Sequence, residues 1–244
     1  MRLRHPSVLS AYAGRNDGKF CKLLGEQGLG MVTLGGISVD DASKRQSKKI
    51  VARGRKEFIL DDHLGFIRNG IALAKESGAV AAVNIRSATM EGYLSAAEVI
   101  ADAGGAVEID AHCRQPEMIE IGAGQALLGD MEKLKDILYN IKAEFDIETI
   151  LKFRGNVVSE RMIALSLNDC CDALHVDAMM QGSEVTDMNV FLNIPDGIFL
   201  IGNNSVTDVK SALAILEFCD AFSFARLAND IEKTNKMLKE LMDD

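Results

Sequence analysis

Side chains that can do acid–base or nucleophilic chemistry gather in one short segment near the middle of the chain. An apolar stretch there ends in two carboxylates, an imidazole and a thiol, which belong to Glu108, Asp110, His112 and Cys113. Ionisable groups at the end of an apolar strand are costly unless they are hydrated, paired or used. A thiol among cations can ionise or donate a proton, so Cys113 is a candidate acid or nucleophile.

Two later apolar stretches also end in ionisable side chains, Lys152 and His175. A lysine at such a position can act as a Schiff-base or general-base residue. Asp110, His112, Cys113 and His175 are all of metal-ligand types, but positions 112 and 113 are adjacent, and adjacent side chains seldom converge on one ion. The sequence therefore disfavours a metal site here.

The stretch Gly202-Asn203-Asn204-Ser205 supports two interpretations. It lies between an apolar run and a predicted helix start, where backbone N–H groups and the helix dipole favour a phosphate. In a barrel of parallel strands, the loops after strands seven and eight are a common phosphate site. An ordinary turn with an N-terminal cap requires the same glycine and asparagine residues, so both interpretations stay open.

Short apolar runs alternate with stretches of 3.6-residue periodicity, which is typical of βα units around a parallel sheet. The predicted strands are Val8 to Tyr12, Gly30 to Leu34, Ala79 to Ile85, Ala106 to Asp110, Thr149 to Phe153, Ala173 to Val176, Gly197 to Ile201 and Ala221 to Phe224. The predicted helices lie near Asp17 to Leu24, Asp62 to Glu76, Met90 to Ala103, Asp130 to Phe145, Ser159 to Leu167, Thr186 to Leu192, Thr207 to Phe218 and Ala228 to Met242. Eight units predict an α/β protein with one closed (β/α)₈ TIM barrel over residues 1–244, and an open doubly wound sheet is the alternative.

In such a barrel, functional side chains collect at the carboxyl ends of the strands, where the βα loops converge. The residues that this rule places at the mouth are Ala13 and Gly14, Gly35 and Gly36, Asn84 and Arg86, Asp110 to Arg114, Lys152 and Arg154, His175 and Asp177, Gly202 to Asn204, and Ala225 and Arg226.

The stretch Ile37 to Glu57 departs from this rhythm. It is rich in lysine and arginine, has little apolar periodicity and is long for a βα loop. We expect a solvated, partly helical excursion at the barrel mouth, because charge runs usually only solvate. The alternative is a mobile basic lid that meets an anionic substrate.

Composition excludes several classes of function. The 27 basic and 36 acidic residues leave a net charge of −9, which disfavours a nucleic-acid partner. No apolar run reaches the roughly 18 residues that span a bilayer, and the first residues lack the apolar stretch of a signal peptide. The five cysteines are odd in number and show no CxxC spacing, so we expect reduced thiols and a cytoplasmic protein. A homo-oligomer stays open.

Taken in order, the strand-end residues resemble those of the dihydrouridine synthase family, which is related to the dihydroorotate dehydrogenases. Glu108 to Cys113 resembles the family's Asp-Ile-Asn-x-Gly-Cys-Pro segment, and Gly122 to Leu128 resembles the glycine turn that follows it. Leu151 to Gly155 resembles the Lys-x-Arg segment, and His175 falls where the family has a histidine. The family's two phosphate loops are similar to Ile201 to Asn204 and to Phe224 to Arg226. Its first strand and turn are similar to Ala11 to Phe20.

The resemblance implies an FMN-binding barrel that moves a hydride between flavin and a small, unsaturated, pyrimidine-like substrate. Cys113 would give the proton to the substrate, and Lys152 would face the pyrimidine edge of the flavin. The further residues that the resemblance assigns to the cofactor are Ala13, Gly14, Asn84, Asp110, His175, Gly202, Asn203, Asn204, Ala225 and Arg226.

The sequence also departs from the family pattern. Asn84 replaces a glutamine, Asp110 replaces an asparagine, Arg114 replaces a proline, and Ala225 and Leu227 replace glycines. We expect the tRNA-binding domain of the true synthases to be absent, as in short archaeal relatives. A small-molecule substrate, an anionic one included, then fits better than tRNA.

Two other functions stay open. One is a lyase, isomerase or aldolase that kept the phosphate site, lost the flavin and uses Lys152. The other is a non-catalytic ligand-binding barrel.

Overall fold

Eight parallel strands form a closed barrel in which each strand pairs with its neighbours in sequence and β8 pairs with β1. The computed structural model describes residues 1–180 and 185–243. The strands are β1 (Ser7–Leu9), β2 (Met31–Ser38), β3 (Val80–Arg86), β4 (Ala106–Ala111), β5 (Thr149–Arg154), β6 (Ala173–Asp177), β7 (Phe199–Asn203) and β8 (Ala221–Phe224). The predicted fold class, a single (β/α)₈ barrel, is confirmed.

Helices surround the barrel and bury their apolar faces against the strands. They are α1 (Gly18–Gly25), α2 (Asp41–Ala52), α3 (His63–Lys75), α4 (Met90–Asp102), α5 (Pro116–Glu120), α6 (Met131–Glu144), α7 (Glu160–Leu167), α8 (Asn189–Leu192), α9 (Val209–Leu216) and α10 (Ile231–Asp243), with 3₁₀ turns at Gly124–Gly129 and Arg226–Asn229. Side chains such as Asp17, Thr89 and Asp208 accept hydrogen bonds from the first-turn N–H groups, which stabilises the helix starts. In the described part of the chain, no helix is long and apolar enough to cross a membrane.

The stretch Ile37 to Glu57, for which the sequence predicts a partly helical excursion, contains the end of one strand and one helix. Ile37 and Ser38 extend β2, and residues 41–52 form α2, whose start carries a reciprocal cap between Asp40 and Ser43. The buried face of α2 contains Ser43, Gln46, Ser47 and Ile50. Only Ile50 on this buried face is apolar, so the apolar pattern of the sequence does not give the bounds of the helix.

The predicted helix from Thr186 to Leu192 is wrong in its first half. Thr186 instead pairs in an antiparallel bridge with Met179, and α8 begins only at Asn189. The backbone N–H of Asp187 donates to the carbonyl of Ala178 at 2.7 Å, so this segment folds back on the end of β6. A single backbone bridge of this kind leaves no periodic signal in the sequence.

The barrel interior is built in layers, because residues two apart on a strand point to the same face. One residue from each strand forms an apolar floor: Val8, Met31, Ala82, Ala106, Ile150, Ala173, Ile201 and Ala221. Two positions nearer the mouth, the residues in the same strand order are Ser10, Thr33, Asn84, Glu108, Lys152, His175, Asn203 and Ser223. Every one of these is polar, and all but the partly exposed Asn203 are buried.

Candidate active site

The polar layer is organised around a fully buried carboxylate. Glu108 accepts a hydrogen bond from Asn84 Nδ2 at 2.8 Å and pairs with His175 Nδ1 at 2.6 Å. Burial opposes its ionisation, but His175, Lys152 and the hydrogen bonds together lower the pKa of Glu108 to about 2. Burial and Lys152 lower the pKa of His175, so the imidazole is neutral. His175 Nδ1–H therefore donates to Glu108, and Nε2 accepts from Ser223 Oγ at 2.7 Å.

Lys152 brings a cation to the same layer. Its side chain is buried, and its ammonium group donates to Ser10 Oγ across the barrel. The register of the sheet places Lys152 between Asp110 on β4 and His175 on β6. A lone buried charge at this depth would be very costly, and the carboxylates of Glu108 and Asp177, whose pKa values Lys152 lowers, compensate it.

Cys113 lies above this layer in the loop after β4, and Asp110 holds its backbone. Asp110 Oδ1 accepts from the N–H groups of His112 and Cys113 at 2.9 and 2.8 Å. The N–H of Gln125 donates to the Cys113 carbonyl at 2.8 Å. Burial and the charge of Asp110 raise the pKa of the Cys113 thiol, although Arg86 opposes them. The group is therefore a neutral thiol, suited to proton donation rather than to nucleophilic attack as a thiolate.

Arg86, at the end of β3, links Cys113 to the stretch after α2. Its guanidinium forms an ion pair with Glu57, donates to the carbonyl of Gly36 at 3.2 Å and lies 3.4 Å from Cys113 Sγ. The Arg86 Nε atom lies 4.0 Å from Asp110 Oδ2. Asp110, the anion that stands where the resemblance expects an amide, thus has both a cation and two backbone donors beside it.

A second charged group lies at the ends of β5 and β6. Asp177 Oδ2 lies 2.7 Å from His112 Nε2 and 3.2 Å from Arg154 NH1. Burial opposes ionisation of Asp177, but His112 and Arg154 lower its pKa to about 2. The carboxylate is therefore charged, and it orients both His112 and Arg154 at the mouth.

These side chains surround a cavity of about 540 Å³ at the carboxyl ends of the strands. Its lining residues are Ala11, Tyr12, Ala13, Gly36, Gly54, Arg55, Lys56, Glu57, Asn84, Arg86, Asp110, His112, Cys113, Arg114, Gln115, Lys152 and Arg154. Of the residues that the sequence assigns to a site, Ala13, Asn84, Asp110, Cys113 and Lys152 thus share one cavity. His175 lies beneath them with both ring nitrogens hydrogen bonded.

The remaining predicted cofactor residues lie elsewhere on the mouth. Arg226 and Ser205 line a separate cavity of about 660 Å³ beside the loops after β7 and β8. Asn203 ends β7, and Asn204 adopts φ 147° with its side chain toward Thr186 at 3.4 Å. Ala225 accepts a hydrogen bond at its carbonyl from Arg15 at 3.1 Å.

Two predicted glycines have packing reasons of their own. A Cβ on Gly202 would lie 2.8 Å from Cys219 Sγ and against Ile215, so this glycine lets α9 approach β7. A Cβ on Gly14 would lie 2.8 Å from Lys56 Cβ, so this glycine lets the stretch after α2 close over the loop of β1. The glycine at 202 is therefore explained without a phosphate.

Sequence reasoning missed Ser10, Ser223 and Glu57 as parts of the site. Ser10 and Ser223 could have been found, because each lies two residues beyond the apolar floor in the alternation that every strand follows. Glu57 could not have been found, since its ion pair with Arg86 depends on how α2 and the following stretch fold back. Within residues 1–180 and 185–243, no group of three or more histidine, cysteine or carboxylate side chains could hold a metal ion.

A comparison of sequences places the chain in a family. Uncharacterized protein MJ0144 of Methanocaldococcus jannaschii is 33% identical over 243 residues, which cover 96% of this chain and 93% of the relative. The chain belongs to the same family as MJ0144. No protein-family model matches the sequence.

Solved structures with the same fold include enzymes of different activities. An old yellow enzyme homologue from Zymomonas mobilis aligns with TM-score 0.59 at 13% identity, over 93% of this chain and 87% of that one. Tryptophan synthase from Mycobacterium tuberculosis aligns with TM-score 0.61 at 13% identity, over 97% and 90% of the two chains. Thiamine phosphate pyrophosphorylase from Pyrococcus furiosus aligns with TM-score 0.54 at 12% identity, over 97% and 96%. At these identities the likeness shows the barrel fold alone.

Proposed function

We propose that this protein is an FMN-dependent oxidoreductase that transfers a hydride between flavin and a small, unsaturated, pyrimidine-like substrate. The observation that carries the proposal is the pairing, in one cavity, of a neutral thiol on Cys113 with the buried ammonium group of Lys152. A proton donor and a cation are what reduction of an activated double bond beside a flavin requires from the protein.

The residues present fit the ring system of a flavin. The cavity volume of about 540 Å³ lies within the range of roughly 300–1,000 Å³ typical of small-molecule sites. Gly36 also lines the cavity, and a Cβ there would lie 2.7 Å from Asn84 Oδ1, so this glycine lets Asn84 pack against β2. Asn84 and Lys152 line the cavity, and their remaining N–H donors would bind the oxygen and nitrogen atoms at the ring edge. The phosphate end of the cofactor would be held near Arg226 and Ser205.

Bound reduced FMN would supply the hydride, and Cys113 would supply the proton. Burial and Asp110 keep that proton on the sulfur until a substrate carbon accepts it. The thiolate left behind lies beside Arg86 NH1, which is 3.4 Å from the sulfur and stabilises the negative charge. Asp110 positions the loop after β4 through its two backbone hydrogen bonds. Lys152 places a positive charge in the polar layer beneath the cavity.

Visible absorbance and single-turnover reduction test this proposal. We expect the purified protein, or protein reconstituted with FMN and then desalted, to retain a flavin spectrum that denaturation releases. Cys113→Ala should leave flavin bound and slow reoxidation of the reduced flavin by substrate by about 10²-fold or more, the usual loss for a missing general acid. Cys170→Ala, which removes a buried thiol that does not line the cavity, serves as the control. Equal turnover in the two variants would remove Cys113 from the mechanism.

A further inference from the structure

The cavity is positively charged in a protein that is negatively charged overall. Its cationic lining residues are Arg55, Lys56, Arg86, Arg114, Lys152 and Arg154, against the anionic Glu57 and Asp110. Two further carboxylates, Glu108 and Asp177, contact the lining from behind. Six cations thus face four anions at the mouth, whereas the whole chain carries −9. A local excess of positive charge in a protein of negative net charge concentrates the electric field on a negatively charged ligand.

Arg154 is the cation at the mouth whose donors are least well satisfied. Its side chain is only 13% exposed, yet its Nε and NH1 atoms are buried without a hydrogen-bond acceptor. NH1 lies 3.2 Å from Asp177 Oδ2, but outside hydrogen-bonding geometry. NH2 lies 2.9 Å from His112 Nε2. That nitrogen must carry the proton it donates to Asp177, so it cannot also accept from Arg154.

The neighbours of Arg154 increase the demand for an acceptor. Burial lowers its pKa, Asp177 opposes this, and Arg114 lowers the pKa further because the two guanidinium groups repel each other. A buried donor without an acceptor is unfavourable, and one on a charged group more so. Arg154 and Arg114 both line the cavity. An oxyanion between them would relieve the repulsion and accept hydrogen bonds from both.

We infer that the substrate carries an oxyanion, a carboxylate or a phosphate, and that Arg154 with Arg114 binds this group at the mouth while the reacting carbon lies at Cys113. The inference extends the proposed function, on which the role of Cys113 rests. Arginine suits this task because its planar group donates two parallel hydrogen bonds to a carboxylate or phosphate, which lysine cannot do.

Calorimetric titration with inorganic phosphate and with succinate tests the inference. Titrations are made at constant ionic strength, because screening by salt changes any charged interaction. In Arg154→Met, both probes should bind about tenfold or more weakly than in the wild type, the loss expected for a charged bidentate contact. Arg154→Lys should restore only part of the affinity. The probe that binds the wild type more tightly identifies the group as carboxylate or phosphate.

The control variant removes the same charge from a surface outside the cavity. Arg68 is exposed on α3 and does not line the cavity, so Arg68→Met should bind both probes within about twofold of the wild type. Equal affinities in Arg154→Met and Arg68→Met would overturn the inference, as would failure of the wild type to bind either probe.

The same samples separate this inference from the flavin proposal. Each titration is repeated after saturation with FMN, and bound flavin is measured by absorbance. If no FMN binds but anion affinity depends on Arg154, the oxyanion site stands and the flavin proposal fails. If FMN binds but anion affinity does not depend on Arg154, the flavin proposal stands and the oxyanion site fails.

Discussion

Two glycines that follow α5 allow the placement of Cys113 to be tested with a closely matched pair of variants. Gly122 and Gly124 both have a left-handed backbone, with φ of 70° and 62°. A Cβ on Gly122 would meet only Lys133 Nζ, at an ordinary 3.5 Å. A Cβ on Gly124 would overlap the Cys113 carbonyl oxygen and lie 3.1 Å from Cys113 Cβ. Alanine at the two positions therefore shares the backbone strain and differs in the clash with Cys113.

The expected losses of stability come from the backbone strain, which both variants share, and from the clash with Cys113, which only Gly124→Ala has. Left-handed backbone costs an alanine about 1–2 kcal/mol, which is the full expectation for Gly122→Ala. Overpacking against the loop adds about 1–3 kcal/mol in Gly124→Ala. For a chain of this length, that addition lowers the melting temperature of Gly124→Ala by roughly 2–12 °C relative to Gly122→Ala.

The assay combines stability with the chemistry of the thiol. Thermal and urea unfolding, followed by circular dichroism, measure the stabilities of both variants and the wild type. Peptide mapping after timed iodoacetamide treatment measures alkylation of Cys113, which should change in Gly124→Ala and stay at the wild-type rate in Gly122→Ala. If the two variants have the same stability and the same alkylation rate, the Cys113 loop does not pack on Gly124 as described.

Two further predictions concern charge in the site. Asp110→Asn keeps an oxygen that can accept from the Cys113 backbone but removes the anion that raises the pKa of the thiol. The pH profile of Cys113 alkylation should therefore move to lower pH. An unchanged profile would contradict Asp110 as a cause of the raised pKa. Glu108, with a folded pKa of about 2 against a usual 4.5, and His175, with a pKa below its usual 6.5, both bind fewer protons in the folded state. Stability should therefore fall on acidification, first below about pH 6.5 and again between about pH 4.5 and 2. Glu108→Gln should make the second step smaller, with Asp177 supplying the remainder, and should cost about 3–5 kcal/mol at neutral pH by removing a carboxylate that compensates Lys152, as urea midpoints across this pH range will show.

The fold could be predicted because it rests on local patterns. Each strand is a short apolar run between capped helices, and eight such units close a parallel barrel. The failures occurred where local signals are weak. The bounds of α2 were not predictable, because its buried face contains Ser43, Gln46 and Ser47 and has little apolar periodicity. The helix predicted from Thr186 was wrong at its start, because Thr186 forms a backbone bridge with Met179.

The sequence indicated which residues lie at the candidate site better than it indicated how those residues interact. The convergence of strand ends predicts that Asn84, Asp110, Cys113 and Lys152 lie close together, and all four line one cavity. The balance of charges was not predictable, because it depends on partners brought from distant parts of the chain. Asp110 is an anion where the dihydrouridine synthases, which the sequence resembles, have an amide. Its two backbone donors and the nearby Arg86 show how the barrel accommodates this charge.

A thiol that reacts slowly is compatible with catalysis in this site. The raised pKa of Cys113 makes it a weak target for alkylating reagents at neutral pH, even though it is more accessible than the other four cysteines. Slow alkylation would therefore not by itself indicate a non-catalytic barrel. Transfer of the sulfur's proton to substrate is the property that bears on the mechanism.

The most direct test of the proposed function is binding of FMN to the purified protein. After reconstitution and gel filtration, we expect flavin absorbance to elute with the protein at about one FMN per chain. Lys152→Met should weaken this binding, because it removes the cation from the polar layer beneath the cavity. Elution of colourless protein, with all FMN in the small-molecule fractions, would contradict the proposal that this barrel is a flavin-dependent oxidoreductase.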